Sequence, residues 1–360
     1  PMMKIQLLIL CVLSLTSALA EDGFVSLFNG NDLTGWTNVN CAPETWSVRE
    51  GRIHCTGKPI GELRTTRMYE NFILELDWRH LKSGGNAGVF VWSGPIGAQG
   101  VPFLRAVEVQ VLDHGYVRAS LNKSYTTHGD VFPIHGSKMD PFLPSRGSRS
   151  FPSERHGKGS PEWNHYRIEC QDGTLWLYVN GHKVSGGENI TWRKGYIALE
   201  SEGSPVEFAN LRIKELPSTY PAPEVSAPEY EGHVSLYNGV DLRGWQVDGN
   251  RWTAKDWQLS HQRGNGPSTL WSDGEFGNFE LIVDCAPGSK QAIGGGIARR
   301  GMKGEPLISL AMLASGGATP AEVLDGSNRG YHRFKIWLRD RMLTVHLNGV
   351  RLLVKELPKS

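Results

Sequence analysis

The stretch Tyr166-Arg-Ile-Glu-Cys-Gln-Asp-Gly-Thr-Leu-Trp-Leu-Tyr-Val-Asn-Gly181 decides the fold class. Its two apolar runs, Tyr166 to Cys170 and Leu175 to Val179, are short and rich in aromatic and branched residues. Asp172-Gly173 and Asn180-Gly181, on either side of the second run, are dipeptides that turn tight hairpins. Runs of the same kind recur at Phe72 to Trp78, Ala87 to Trp92, Val107 to Leu112 and Val206 to Ile213, separated by Gly, Asp and Asn turns. No segment carries a convincing helical stripe. Many short antiparallel strands, with 43 glycines in 360 residues, predict an all-β sandwich or jelly roll.

The hairpin signal returns as Asn348-Gly349, within a wider repetition. Phe24-Val-Ser-Leu-Phe-Asn-Gly-Asn-Asp-Leu-Thr-Gly-Trp36 reappears as His233-Val-Ser-Leu-Tyr-Asn-Gly-Val-Asp-Leu-Arg-Gly-Trp245, and Asn71-Phe-Ile-Leu-Glu-Leu-Asp77 as Asn278-Phe-Glu-Leu-Ile-Val-Asp284. This predicts two tandem copies, residues 21–216 and 231–360, joined by a proline-rich linker at 217–230. The second copy reads as degenerate and shortened. Nothing in it answers to Val107-Glu-Val-Gln-Val-Leu-Asp113 and the polar insert that follows, nor to the two late strands of the first. If the protein is an enzyme, its site is expected in the first copy.

Lys4 precedes the apolar run Leu7 to Leu13, and Ala18-Leu-Ala20 supplies small residues, so residues 1–20 are expected to be a signal peptide and the protein periplasmic or secreted. The roughly 340 residues that remain suffice for two domains with their own cores. A net charge of +1 offers no field for nucleic acid, and no membrane contact is expected once the signal is cleaved. An oxidising compartment permits disulfides, and the hairpin Trp46 to His54 has Cys41 and Cys55 at its flanks, where a bridge can form. Cys170 and Cys285 read as small buried thiols.

The chemistry concentrates after Val107. Along that strand the valines share one face, so Glu108 and Gln110 point together to the other, roughly 7 Å apart. Asp113 ends the strand, and Thr127-His-Gly-Asp-Val-Phe-Pro-Ile-His135 supplies His128, Asp130 and His135, which a divalent metal ion can use as ligands. Arg149, Arg155, Trp163, Asn164 and His165 follow within long loops, and Asn86 and Glu200 sit on strands that can border the same hollow. So many bulky polar groups in loops are costly to order unless they surround a ligand.

Taken together, the Phe-Asn-Gly-x-Asp-Leu-x-Gly-Trp opening, Asn86-Ala-Gly-Val-Phe, Glu108-Val-Gln110, Glu162-Trp-Asn164, Val179-Asn-Gly181 and Phe208-x-Asn-Leu-Arg-Ile213 resemble the 3-keto-disaccharide hydrolase domain, over residues 24–216 and more weakly over 233–360. The resemblance implies a concanavalin-like jelly roll, export from a bacterium, and hydrolysis of 3-keto-disaccharides or other glycosides already oxidised at C3 of the sugar. It also implies a functional link to a sugar 3-oxidoreductase. The chain departs from the family pattern at Leu199-Glu-Ser-Glu202, where Gln and His are frequent, and in its enlarged insert from Asn122 to Pro161.

A C3 ketone acidifies the C2 hydrogen, so a base can remove it and the C1 substituent can leave by β-elimination before water adds. Glu108 and His165 are the candidate bases, and Gln110 and Asn164 the candidate donors to the C3 oxygen. Trp163 is the expected sugar platform, with Asn86, Asp113, Arg149, Arg155 and Glu200 binding substrate. Two rival readings remain: a retaining glycosidase on the same sandwich, which needs two acids about 5 Å apart, and a lectin-like binding module.

Overall fold

Asp172 and Gly173 both take positive φ, as do Asn180 and Gly181, and again Asn348 and Gly349. These are the left-handed pairs that a two-residue hairpin needs to match the twist of its strands. The computed structural model describes residues 23–116, 125–262, 264, 268–286, 296–297, 308–309, 326 and 328–357. The expected signal peptide at 1–20 and residues 122–124 of the insert lie outside them.

In chain order the first half forms Val25–Ser26 (β1), Trp36–Val39 (β2), Trp46–Arg49 (β3), Arg52–Cys55 (β4), Gly61–Thr65 (β5) and Phe72–His80 (β6). Asn86–Ser93 (β7), Ala106–Leu112 (β8), Val131–Ile134 (β9), Asp140–Pro141 (β10), Ser145–Arg146 (β11) and Arg149–Ser150 (β12) follow. Asn164–Gln171 (β13), Thr174–Val179 (β14), His182–Glu188 (β15), Tyr196–Ser201 (β16) and Val206–Glu215 (β17) complete it. Among the described residues they make a nine-stranded sheet, ordered β10-β15-β14-β13-β6-β17-β4-β3 with β1 on β17, and an eight-stranded sheet, ordered β11-β12-β9-β8-β7-β16-β5-β2.

The two sheets form the sandwich of a jelly roll. Leu74, Leu76 and Trp78 of β6 and Tyr166, Ile168 and Cys170 of β13 point inward, where they share one core with Val107, Val109 and Val111 of β8. The Tyr166 hydroxyl spans the layers, donating to the Gln110 carbonyl at 2.7 Å. Neighbouring residues of β13 are only half-buried, whereas every residue of β8 is buried. The polar face of β8 is therefore covered by loops rather than bathed in water.

Cys41 and Cys55 do not form the expected bridge; both are free and buried. Cys55 Sγ accepts from the Gly57 amide at 3.2 Å, and burial pushes the thiol up to about 11. The proline-rich segment is not a free tether either. It runs along the first half through Arg193 N to Val225 O and Ala227 N to Lys194 O, both 2.7 Å, and Arg64 is sandwiched between the rings of Tyr196 and Tyr230.

The second half contributes Trp245–Asp248 (β18), Trp252–Lys255 (β19), Gln258–His261 (β20), Thr269–Ser272 (β21), Phe279–Cys285 (β22), Gly296–Ile297 (β23), Ile308–Ser309 (β24), His332–Arg339 (β25), Met342–Leu347 (β26) and Val350–Glu356 (β27). The order β22-β25-β26-β27 mirrors β6-β13-β14-β15. Small contacts recur with it: Asn71 Oδ1 accepts from the Asp172 amide as Asn278 Oδ1 does from Asp340, and the Trp36 indole donates to Leu27 O as Trp245 does to Leu236 O.

Candidate active site

Strands β16, β7, β8 and β9 are consecutive neighbours in the eight-stranded sheet, with β5 beyond β16, and residues of those four line one depression. Glu108 and Gln110 face it because the valines between them face the core. Register places Glu62 directly opposite Glu200, and Gly88 opposite Gln110. Gly88 has no side chain, so the Glu200 and Glu108 carboxyl groups fold over it. A methyl group at Gly88 would meet Glu200 Oε2 at 2.9 Å and Glu108 Oε1 at 3.1 Å. The two acids thus face each other across a glycine. Phe103, Tyr116, Tyr125 and Phe132 wall the depression, with Asn86, His135 and Glu202 also lining it.

Glu62, Glu200 and Glu108 are 0%, 2% and 7% exposed. Carboxylates opposed across a sheet repel one another, and desolvation penalises each charge further. Burial is the main cause holding all three well above the usual carboxylate range, and Glu202 adds its repulsion to Glu108 and Glu200. Glu62 Oε1 accepts from the Leu104 amide at 3.2 Å, but its other oxygen and Glu200 Oε2 have no hydrogen-bond partner. The cation beside this cluster is Arg149, donating to Asp130 Oδ2 at 3.0 Å and lying over the Phe132 ring at 3.3 Å and the Tyr125 ring at 4.7 Å. Such a cluster holds its protons to higher pH than isolated carboxyl groups do. It can donate one from one carboxyl and, after losing one, accept at another with a basicity above an ordinary carboxylate's.

The amide groups have narrower roles than the sequence suggests. Gln110 Nε2 donates to Asn86 Oδ1 at 2.9 Å and to Ala87 O at 3.1 Å, which commits both hydrogens. Gln110 therefore orients Asn86, whose own amide donates to Glu202. It does not offer a donor to a ligand.

Of the residues predicted from sequence, Glu108, Gln110, Asn86, Glu200, Arg149 and His135 line the depression. The others lie elsewhere. His165 precedes the inward Tyr166, so it points out of the opposite sheet, where its Nδ1 pairs with Asp77 Oδ1 at 2.8 Å. The hydrophobic core separates it from Glu108, and His165 and Glu108 cannot serve one ligand. Trp163 lies under the Arg79 guanidinium at 4.6 Å and does not line the depression, whose aromatic lining is Phe103, Tyr116, Tyr125 and Phe132. Asn164 closes a loop through Lys158 N at 2.7 Å and Lys158 O at 2.9 Å. Asp113 does the same for Gly84, Gly115 and Ser160, whose amides hold its carboxyl below the usual range despite burial. Arg155 does not line the depression, but its charge reaches His128.

His128, Asp130 and His135 do not assemble as a ligand set. Asp130 is saturated by Arg149 and Thr126. His128 packs edge-on to His114 and beside Trp78, with burial pushing it down to about 4. His135 stacks flat on Phe103 at 5.7 Å, and burial pushes it down to about 4 as well. These residues do not fit a metal ion. Among the described residues the group that brings three ligand atoms together is Glu231, His233 and Glu280, and Lys335 already stands 3.9 Å from Glu280.

Sequence reasoning missed Glu62, Glu202, Gly88 and the aromatic walls as members of the site. The spacing of Glu200, on β16, and Glu202, just past its end, was a usable signal. Glu62 gave none, since only the sheet order makes it a neighbour of Glu200.

Residues 23–214 match the family model of the 3-keto-alpha-glucoside-1,2-lyase-like domain. A 3-keto-disaccharide hydrolase of Bacteroides thetaiotaomicron is 23% identical over 241 residues, 56% of this chain and 82% of that protein. Among solved structures, a protein of Parabacteroides distasonis is 23% identical with a TM-score of 0.43, covering 54% of this chain and 94% of its own. A β-glucanase of Bacillus licheniformis is 14% identical with a TM-score of 0.36, covering 54% and 97%.

Proposed function

The chain belongs to the 3-keto-alpha-glucoside-1,2-lyase-like domain family, and from that premise we propose that its acid-floored depression cleaves glycosides carrying a ketone at C3. The observation that carries the reading is the Glu108 and Glu200 pair facing each other over Gly88. A sugar seated between Phe103, Tyr125 and Phe132 presents its ring to the two acids. Glu108 makes no hydrogen bond to a described residue, and in its ionised form it takes the C2 proton. The C2–H electron pair moves to the C3 carbonyl, whose oxygen receives a hydrogen bond from protonated Glu200, worth about 3 to 4 kcal/mol in the transition state for a well-placed donor. The enolate then expels the C1 oxygen substituent, which takes the proton from Glu108; the carboxylate so regenerated deprotonates the water that adds to C1 of the enone and passes that proton to C2, so both carboxyl groups end as they began and the sum is hydrolysis.

The substrate class requires a prior reaction that oxidises the C3 hydroxyl, which is the work of a sugar 3-oxidoreductase. A second reading has one observation in its favour: two carboxyl groups facing across a glycine also suit a retaining glycosidase. Reaction of a 3-keto-glucoside in heavy water separates the two. Elimination places deuterium at C2 of the released keto-sugar, and the parent glucoside is left intact. Cleavage of the parent without deuterium at C2 would replace our reading by the glycosidase.

A further inference from the structure

The family match ends at residue 214, yet the second half holds a hairpin that walls the depression. The hairpin between β7 and β8 closes through Ala98 N to Phe103 O at 2.8 Å and Gly94 N to Arg105 O at 2.9 Å. It supplies Phe103 to the wall, and its Leu104 amide holds Glu62 beneath the acids. Its tip is gripped from outside. Gln99 Nε2 donates to the carbonyls of Gly326 at 3.1 Å and Tyr331 at 2.9 Å and to Asn348 Oδ1 at 3.1 Å, while Asn328 Nδ2 donates to Gln99 O at 2.6 Å.

A second set of contacts lies beside the first. The Gly100 amide donates to Asp284 Oδ2 at 2.9 Å, and Arg333, paired with both oxygens of Asp284 at 2.8 Å, donates to Gly97 O at 2.8 Å. The fit is close enough that a methyl at Gly100 would meet Asn328 O and Tyr331 Cβ at 2.8 Å. Asp284 and Arg333 occupy the places that Asp77 and His165 hold on β6 and β13. In the first half that pair is turned outward and half-exposed; in the second it is spent on the hairpin. Arg329, on the same turn, lies near enough to His135 for its charge to help keep that imidazole neutral.

We propose that the turn from Asn328 to Arg333 in the second half is a positioning element of the active site, holding the 97–104 hairpin so that Phe103 and the Leu104 amide keep their places around the acids. The proposal rests on the site described above but not on the identity of the reaction. Multiple charge-assisted bonds to backbone give the grip its rigidity, and a displaced wall residue weakens the seating of the sugar without touching the reacting atoms.

The full-length protein carrying Arg333→Ala or, from the other side, Gln99→Ala is the test. Amide hydrogen exchange of residues 97–104 is expected to quicken about tenfold or more in both variants, with β13 and β14 unchanged, because the strands of the first core do not touch the turn. On a 3-keto-glucoside, KM is expected to rise about tenfold with kcat within about threefold, since the wall orients the sugar rather than reacting with it. Unchanged exchange in 97–104 in both variants would overturn the proposal, and so would faster exchange with unchanged KM. If the unaltered protein leaves 3-keto-glucosides intact, the reaction is wrong and the exchange measurement alone decides the positioning role. If Arg333→Ala fails to fold, Gln99→Ala, which removes no charge, carries both readouts.

Discussion

Gly88→Ala is the sharpest perturbation the site allows. The added methyl would stand 2.9 Å from Glu200 Oε2 and 3.1 Å from Glu108 Oε1, up to about 0.5 Å inside ordinary contact, so at least one carboxyl must swing away. Backbone strain is not at issue, because Gly88 is not among the residues with positive φ. The alanine gains roughly 0.4 to 1 kcal/mol by restricting the unfolded chain, against an overpacking cost of about 1 to 3 kcal/mol. The net loss is between about 0 and 2.6 kcal/mol, which lowers Tm by at most several degrees for a protein of this size. Catalysis is far less forgiving, since moving the base or the donor by half an ångström to an ångström costs about 100-fold. Initial rates on a 3-keto-glucoside beside a calorimetric melt measure both quantities. A variant that melts a few degrees early yet keeps the full rate would refute the claim that the acids act as a pair across Gly88.

Glu108→Gln is expected to lower kcat by about 100-fold or more, whereas His165→Ala, on the far side of the core, should stay within about threefold. Equal losses in the two would mean that the faces have been misassigned. The kcat/KM profile should be bell-shaped with both limbs above the ordinary glutamate range, because Glu108 must lose its proton and Glu200 must keep one, and burial raises both. A rate already maximal at pH 4.5 would contradict this. Stability carries the matching sign: the folded state holds protons that the unfolded chain gives up near pH 4.3, so the buried acids stabilise fully below that pH and lose their contribution as pH rises toward their raised values. Glu62→Gln should flatten that fall in denaturant titrations carried from about pH 4.3 upward, and an unchanged slope would show that Glu62 is ionised in the folded protein.

The strands and hairpins were legible because their signals are local. Asp172-Gly173 and Asn180-Gly181 need only their own φ angles, and the alternation through Val107, Val109 and Val111 needs only the pleat to aim Glu108 and Gln110 together. The rest of the site was not legible, because it is made by strand order. Glu62, Gly88 and Glu200 are far apart in sequence and become neighbours only because β16 inserts between β5 and β7. His165 shows the opposite trap. It follows the polar insert closely, which invites grouping it with Glu108, but β13 belongs to the other sheet, and no local pattern says which sheet a strand will join.

Burial and protonation together let the site hold so many acids. A sheet face carrying Glu62, Glu108, Glu200 and Glu202 would be unstable if all were ionised, and Arg149 alone cannot neutralise them because Asp130 already shares its charge. Protonation removes the repulsion without a counterion, and burial under Phe103, Tyr125 and Phe132 makes protonation the cheaper state. In the proposed reaction the aromatic cover does two things at once, raising the basicity of whichever carboxyl ionises and excluding water from the enolate. Because Phe103 belongs to a hairpin held by Asp284, Asn328 and Arg333, the electrostatics of the first half depend on contacts made by the second. Loosening that grip admits water to the acids, so it should draw the raised pKa values back toward the ordinary range. In Arg333→Ala the acid limb of the rate profile is accordingly expected at lower pH than in the parent, and a limb that does not move would confine the role of the second half to steric positioning of the sugar.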